Sequence, residues 1–344
     1  MRGLGSTTPL TTAEATALFA PLLIGRSDRP VVLAVSGGPD STAMLGLYAE
    51  AMRETALPVP VVATVDHRLR PGSSDEAAGV GRFAGSLGID HRCLVWADRA
   101  RDSHLQEDAR AARYRLLHTL VADIGASAVL TAHTLDDQAE TVLMRLIRGS
   151  GPAGLQGILA ERTFRGLTVL RPLLGVSKSR LVATCAGRGW PYVTDPANAD
   201  PRYDRARLRV LLPLLAREGL TAERLARFAR RMQRTQRALE QQADAVRRDV
   251  TVMVRGRRTY DAAALCREAE DIVLLVLRSL IDEVQEARQD WQPLRLQRLE
   301  ALADRFSTEV RAGAPFSGTL GTVVLRVRRG LLTVTPAPPR RGSS

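Results

Sequence analysis

The chain is 344 residues long, 45% hydrophobic and 25% charged, a balance that suits two or three globular domains and excludes a disordered or fibrous protein. Its formal net charge is +12, and of its 49 basic residues Lys178 alone is lysine; such an excess suits a polyanionic partner, nucleic acid before all, or general basicity. Apolar stretches such as Ile272–Leu277 fall far short of the ~18 residues that cross a bilayer, the N-terminus does not read as a signal peptide, and the separated cysteines Cys93, Cys185 and Cys266 exclude a C-x-x-C zinc ribbon or redox dithiol and fit a reducing, cytoplasmic compartment.

After a loose start, Thr12–Leu23 reads as an amphipathic helix capped by Thr11 or Thr12. The spacing then predicts alternating strands and helices: strand Val31–Val35, helix Ser41–Glu54, strand Val59–Val65, helix Ser74–Leu87, strand His91–Trp96, helix Glu107–Ile124, strand Ala128–Thr131 and helix Gln138–Ile147. Helical crossovers of this length imply a Rossmann-like parallel sheet with helices on both faces, an α/β fold. A loop at Arg148–Pro152 leads to a short strand, Thr168–Leu170, and a helix from Ser177 to Gly187. Arg207–Glu218 is predicted helical, interrupted by Pro213, and a long helix follows from Thr221 to Val250. Its stripe of Leu225, Phe228, Met232 and Leu239 is apolar, while Arg224, Arg227, Arg230, Arg231, Arg234 and Arg237 take other faces. A small α+β unit closes the chain: a hairpin-like start at Thr251–Tyr260, helices Ala262–Val284 and Leu294–Phe306, and strands Thr322–Arg328 and Leu331–Thr335 paired across Arg329-Gly330. Five segments are expected: an N-terminal helix (1–26), an α/β domain (27–216), a basic helical linker (217–250), a small α+β domain (251–335) and a disordered tail (336–344).

The first strand runs straight into Ser36-Gly37-Gly38-Pro39-Asp40-Ser41 and then a helix. Glycines, hydroxyls and backbone N–H groups at the positive end of a helix favour phosphate or pyrophosphate. The loop is not a Walker A motif, which needs a lysine where this chain carries Asp40. A carboxylate beside phosphate is tolerated when a metal ion lies between them or the phosphate departs. Asp66-His67 and the His133/Asp136/Asp137 group also fall at carboxyl ends of strands, where open α/β sheets bind ligands.

The Ser36–Ser41 loop resembles the pyrophosphate loop of the ATP pyrophosphatases. Further runs narrow the likeness: Val65–Arg70, Glu107–Tyr114, Ala132–Thr141, Arg148–Gly151, Arg171–Leu174 and Thr194–Asn198. In this order they resemble the bacterial tRNA(Ile)-lysidine synthetases, well over about 30–215 and in outline beyond. The resemblance implies a PP-loop ATPase fold of the adenine nucleotide alpha hydrolase type, with 27–216 as the ATP-binding catalytic domain and 251–335 as a tRNA-binding domain. It implies a ligase that adenylates the wobble cytidine of a CAU-anticodon tRNA(Ile) and then joins L-lysine at C2, releasing AMP and pyrophosphate. ATP and Mg²⁺ are the expected cofactors, and the sequence leaves room for a homodimer. Asp40, Arg113 and Asp137 are the expected catalytic residues, with Asp40 on the metal. Ser36, Gly37, Gly38, Pro39, Asp40, Ser41, Asp66, His67, Arg110, His133 and Asp136 are expected around the nucleotide. Hard cations suit the Asp40 carboxylate, Arg110 and Arg113 share one helix face, and Asp137 is placed to take a proton from the lysine ammonium.

Plainer roles stand beside these. Arg110 and Arg113 suit ion pairs with Glu107 or Asp108, Asp136 suits a helix cap, His67 and His133 suit structural positions, and Glu140 suits solvent or an arginine. The family's Arg-Asn-x-[Ile/Leu]-Arg run is here Arg205-Ala206-Arg207-Leu208-Arg209, so Ala206 stands for an asparagine. Two other functions compete: a tRNA 2-thiolation enzyme on the same loop, disfavoured by the missing C-x-x-C, and a non-catalytic RNA-binding protein, disfavoured by the intact loop.

Overall fold

The computed structural model describes residues 7–26, 28–68, 72–96, 105–164, 166–194, 204–288 and 294–338, without the side chains of 105–107, 204 and 206. Leu69 and Arg70, the Asp195–Asn198 run and the last part of the tail (339–344) lie outside the described residues, as do the side chains of Glu107 and Ala206. The chain divides into two compact units, Met1–Arg148 with Gly157–Ala229, and Gly149–Gln156 with Arg230–Ser344.

The first unit runs α1 (Thr12–Leu23), β1 (Val31–Ala34), α2 (Pro39–Glu54), β2 (Pro60–Asp66), α3 (Ser73–Ser86), β3 (Asp90–Val95), α4 (Leu105–Asp123), β4 (Ala128–Thr131) and α5 (Leu135–Ile147). The one-turn α6 (Pro152–Leu155) belongs to the second unit; β5 (Glu161–Phe164), β6 (Leu167–Leu170), α7 (Lys178–Arg188) and α8 (Asp204–Arg217) return to the first. Its sheet has the order β3-β2-β1-β4-β6-β5, parallel from β3 to β6. The alternation of side chains along β1 builds both faces. Val31, Leu33 and Val35 pack with Phe19, Met44, Tyr48 and Leu181, whereas Val32 and Ala34 pack with Leu117 and Leu120 of α4. From β1 the chain winds outward to β2 and β3, then crosses back to β4 on the other side. The winding reverses between β1 and β4, and a crevice at such a switch point, beyond the strand ends, is where these sheets take ligands.

The boundary between the units falls inside α9 (Ala222–Asp249). Thereafter come β7 (Thr251–Val254), β8 (Arg257–Asp261), α10 (Ala262–Leu265), α11 (Glu270–Ala287), α12 (Leu296–Arg311), β9 (Phe316–Leu320), β10 (Val323–Arg328) and β11 (Leu331–Pro336). The strands form one antiparallel sheet, β7-β8-β11-β10-β9. Val276, Leu280, Phe306, Phe316 and Leu325 sit in its core. Two of its hairpins turn on Arg-Gly pairs, with φ of 50° and 74° at Arg255-Gly256 and 52° and 76° at Arg329-Gly330, the positive-φ pair that matches strand twist.

Three features differ from the sequence reading. The single helix expected over Ala262–Val284 is two: Asp261 caps α10 by accepting from the Ala264 N–H at 2.9 Å, and α11 starts afresh with Glu270 and Asp271 in its first turn, the acidic signature of a helix start. Pro213 lies inside a continuous α8 rather than breaking it. Strands β5 and β9 carry no strong signal, since every residue of β5 is exposed and Gly318 interrupts β9. No helix among the described residues is long and apolar enough to cross a membrane.

Candidate active site

The turn from β1 into α2 forms the floor of the site. Gly37 has φ +85°, a conformation that side chains other than glycine's adopt with strain. Its carbonyl accepts from the Val193 N–H at 2.9 Å. Gly38 is the N-cap of α2 and Pro39 its first residue, and no side chain caps this end. Ser36 and Ser41 therefore do not cap the helix. They bond each other instead: the Ser36 N–H donates to Ser41 Oγ at 3.1 Å, the hydroxyls lie 3.2 Å apart, and Ser41 Oγ donates to the Gly38 carbonyl at 3.1 Å. An uncapped helix start leaves backbone donors and the positive dipole end available to an anion.

Asp40 stands in the first turn of α2. One oxygen, Oδ2, lies 3.3 Å from the Lys178 ammonium; the other, Oδ1, is buried without a hydrogen-bond partner. Burial lifts its carboxyl to about 6, with Lys178 opposing and Asp137 and Asp136 adding to the rise. The two following acids divide their work in an order that the sequence does not reveal. Asp137 closes a capping box on α5: its Oδ2 accepts from the Thr134 N–H at 2.8 Å and hydroxyl at 3.0 Å, while its own N–H donates to Thr134 Oγ1 at 3.2 Å. Asp136 also meets a helix start, but not that of its own helix. Its Oδ2 accepts from the Lys178 N–H at 2.7 Å, filling the end of α7 that Ser177 leaves without a side-chain cap. Behind them Glu140, 1% exposed, pairs with Arg209 at 2.6 Å, and burial raises its carboxyl. Among the described residues no three His, Cys, Asp or Glu side chains converge as a metal cage.

The expected nucleotide residues beyond the loop fall into two groups. Asp66 is buried, and its own turn engages both oxygens: Oδ1 accepts from the Arg68 N–H at 2.9 Å and Oδ2 from the Ser74 hydroxyl at 2.8 Å. Burial pushes its carboxyl up, but these bonds outweigh it and hold the group below its usual range. His67 lies with Nε2 3.4 Å from an Arg113 Nη2 nitrogen and packs edge-on against Trp96 at 5.7 Å. Arg110 leans over the Tyr114 ring at 5.2 Å. Across the crevice, His133 Nδ1 lies 2.9 Å from Thr131 Oγ1; burial lowers its pKa, Arg171 and Arg110 add to that, and Asp137 opposes it. The sequence gives no role to Lys178, and of Glu140 it offers solvent or an arginine without pointing to Arg209. The signal for Lys178 was present, a lone lysine among arginines; Arg209 became visible only where α8 meets α5.

A PP-loop domain family matches residues 9–215. A tRNA(Ile)-lysidine synthase from Methylobacterium sp. (strain 4-46) is 51% identical over 97% of this chain and 96% of its own length. One from Rhodopseudomonas palustris is 42% identical over 96% of both chains. Among solved structures, a U34-tRNA thiolase from Methanococcus maripaludis shares the fold, with a TM-score of 0.54 at 17% identity over 64% of this chain and 78% of that one. Relatives so similar along nearly their whole length, together with the PP-loop match, place this chain in the tRNA(Ile)-lysidine synthase family.

Proposed function

We propose that this chain is a cytoplasmic ligase that joins L-lysine to C2 of the wobble cytidine in a CAU-anticodon tRNA(Ile), using ATP and releasing AMP and pyrophosphate. In the first step the cytosine C2 oxygen attacks the α-phosphorus of ATP, and the bond to the leaving pyrophosphate breaks. In the second the neutral lysine ε-amine attacks C2, the C2–O bond breaks, AMP leaves and the nitrogen sheds a proton. The observation that carries this reading is the start of α2, which no side chain caps, beside the carboxylates Asp40, Asp136 and Asp137 at the switch point.

Each residue then has work to do. Gly37 and Gly38 bring backbone close to the phosphates, and Ser36 and Ser41 exchange their mutual bond for phosphate oxygens. Arg110 and Arg113 meet negative charge as it builds on phosphate and base. Asp137 keeps one oxygen on its capping box and offers the other to the lysine ammonium, whose proton it takes. The buried, partnerless Asp40 Oδ1 fits a hard cation. Mg²⁺ there, held otherwise by phosphates and water as this ion prefers, would screen the charge of the departing pyrophosphate. Asp66 shapes the turn that presents His67, since both its oxygens are engaged.

The two steps separate experimentally. With tRNA and ATP but no lysine, the protein is expected to release pyrophosphate and accumulate adenylated tRNA, which lysine then discharges as AMP. Discharge by a sulfur donor instead of lysine would overturn this reading in favour of 2-thiolation.

A further inference from the structure

The chain carries 49 basic residues and uses arginine at every one except Lys178. That residue opens α7, a helix distant in sequence from the loop, yet its ammonium rests 3.3 Å from Asp40. Its backbone is pinned by Asp136 at 2.7 Å, while its side chain is 42% exposed, so the four-carbon stem can swing about a fixed root. Two arginines of the same unit are engaged elsewhere: Arg209 with Glu140 at 2.6 Å and an Arg171 Nη1 nitrogen with the Leu159 carbonyl at 2.8 Å. A lysine ammonium is a compact, rotatable point charge, and an arginine fork does not substitute for it. The loop itself has no lysine, and the fold returns one to it.

We propose that Lys178 is a catalytic phosphate-binding residue of the nucleotide site, parked on Asp40 while the site is empty and moving onto the ATP phosphates when they arrive. The move supplies from α7 the cation that the loop lacks. It also frees Asp40 Oδ2, so that the carboxylate is unmasked only when phosphate is present. The inference rests on the reading of the loop as an ATP site but not on the lysine-transfer step.

Equilibrium ATP binding, measured by calorimetry with excess EDTA and again with Mg²⁺, tests it. K178M is expected to weaken ATP binding by at least about tenfold in both conditions, the size of a hydrogen bond to a charged group. K178R is expected to restore the charge without restoring the affinity. A K178M protein that binds ATP as tightly as wild type, or full rescue by K178R, would overturn the proposal. In wild type, Lys178 is the only side-chain amine that acetylation can reach. ATP in EDTA is expected to slow its labelling, read by mass spectrometry, by about tenfold; unchanged labelling at saturating ATP would overturn the proposal even if K178M does not fold. A wild type that binds no ATP would overturn the functional reading itself, whereas tight binding indifferent to Lys178 would overturn only this inference.

Discussion

Asp40 carries the main electrostatic conflict of the site: a half-buried acid beside two others at a helix start that also attracts anions. Because burial raises its carboxyl from 3.8 to about 6, ionising it disfavours the folded state. That cost is absent below pH 3.8 and grows as pH rises through about 6. D40N removes the charge, and with it the Lys178 ion pair, while keeping the shape. In the nucleotide-free protein its melting midpoint is expected to exceed wild type by roughly 2–6 °C near neutral pH, with the gap closing as pH falls toward about 4. Melts across that range check it; an excess that persists unchanged to low pH would contradict the assignment. The loop residues were legible because glycine, serine and aspartate at fixed offsets have few other uses together. The split between Asp136 and Asp137 was not. Two adjacent acids before a helix look alike in sequence, and only the approach of α7 decides that Asp136 serves its Lys178 N–H while Asp137 closes the cap on α5.

At the scale of elements, periodicity located the strands of the parallel sheet and most helices, because each has to bury one face. It missed β5, which buries none, and ran α10 into α11, since Leu265 and Ile272 keep the apolar rhythm across the break. The long α9 shows the pattern in its plainest form: Leu225 and Ala229 are buried, and the six arginines Arg224 to Arg237 are exposed. Arg230, Arg234 and Arg237 stand on one face by their spacing. If that face meets tRNA phosphates, replacing these three by glutamine is expected to weaken tRNA binding and to flatten its logarithmic salt dependence by roughly one unit for each phosphate no longer neutralised. Filter binding over a salt series measures the slope; an unchanged slope would return the face to solvent.

At the scale of the molecule, the alternating elements implied the parallel sheet, and the structure adds the strand order that puts β1 and β4 at the switch point. That order brings Ser36–Ser41 and His133–Asp137 to one crevice, which no local pattern states. Lys178 and Arg209 arrive there through α7 and α8, elements whose own sequences say only that they are helices. The central claim is that this crevice joins lysine to a tRNA base. Its most direct test is incubation of the purified protein with CAU-anticodon tRNA(Ile), ATP, Mg²⁺ and isotopically labelled L-lysine, followed by digestion and mass spectrometry of the wobble nucleoside. The account predicts label on that cytidine, dependent on ATP and lost in D137A with tRNA binding nearly unchanged. Absence of label in wild type, under conditions where the tRNA is bound, would contradict it.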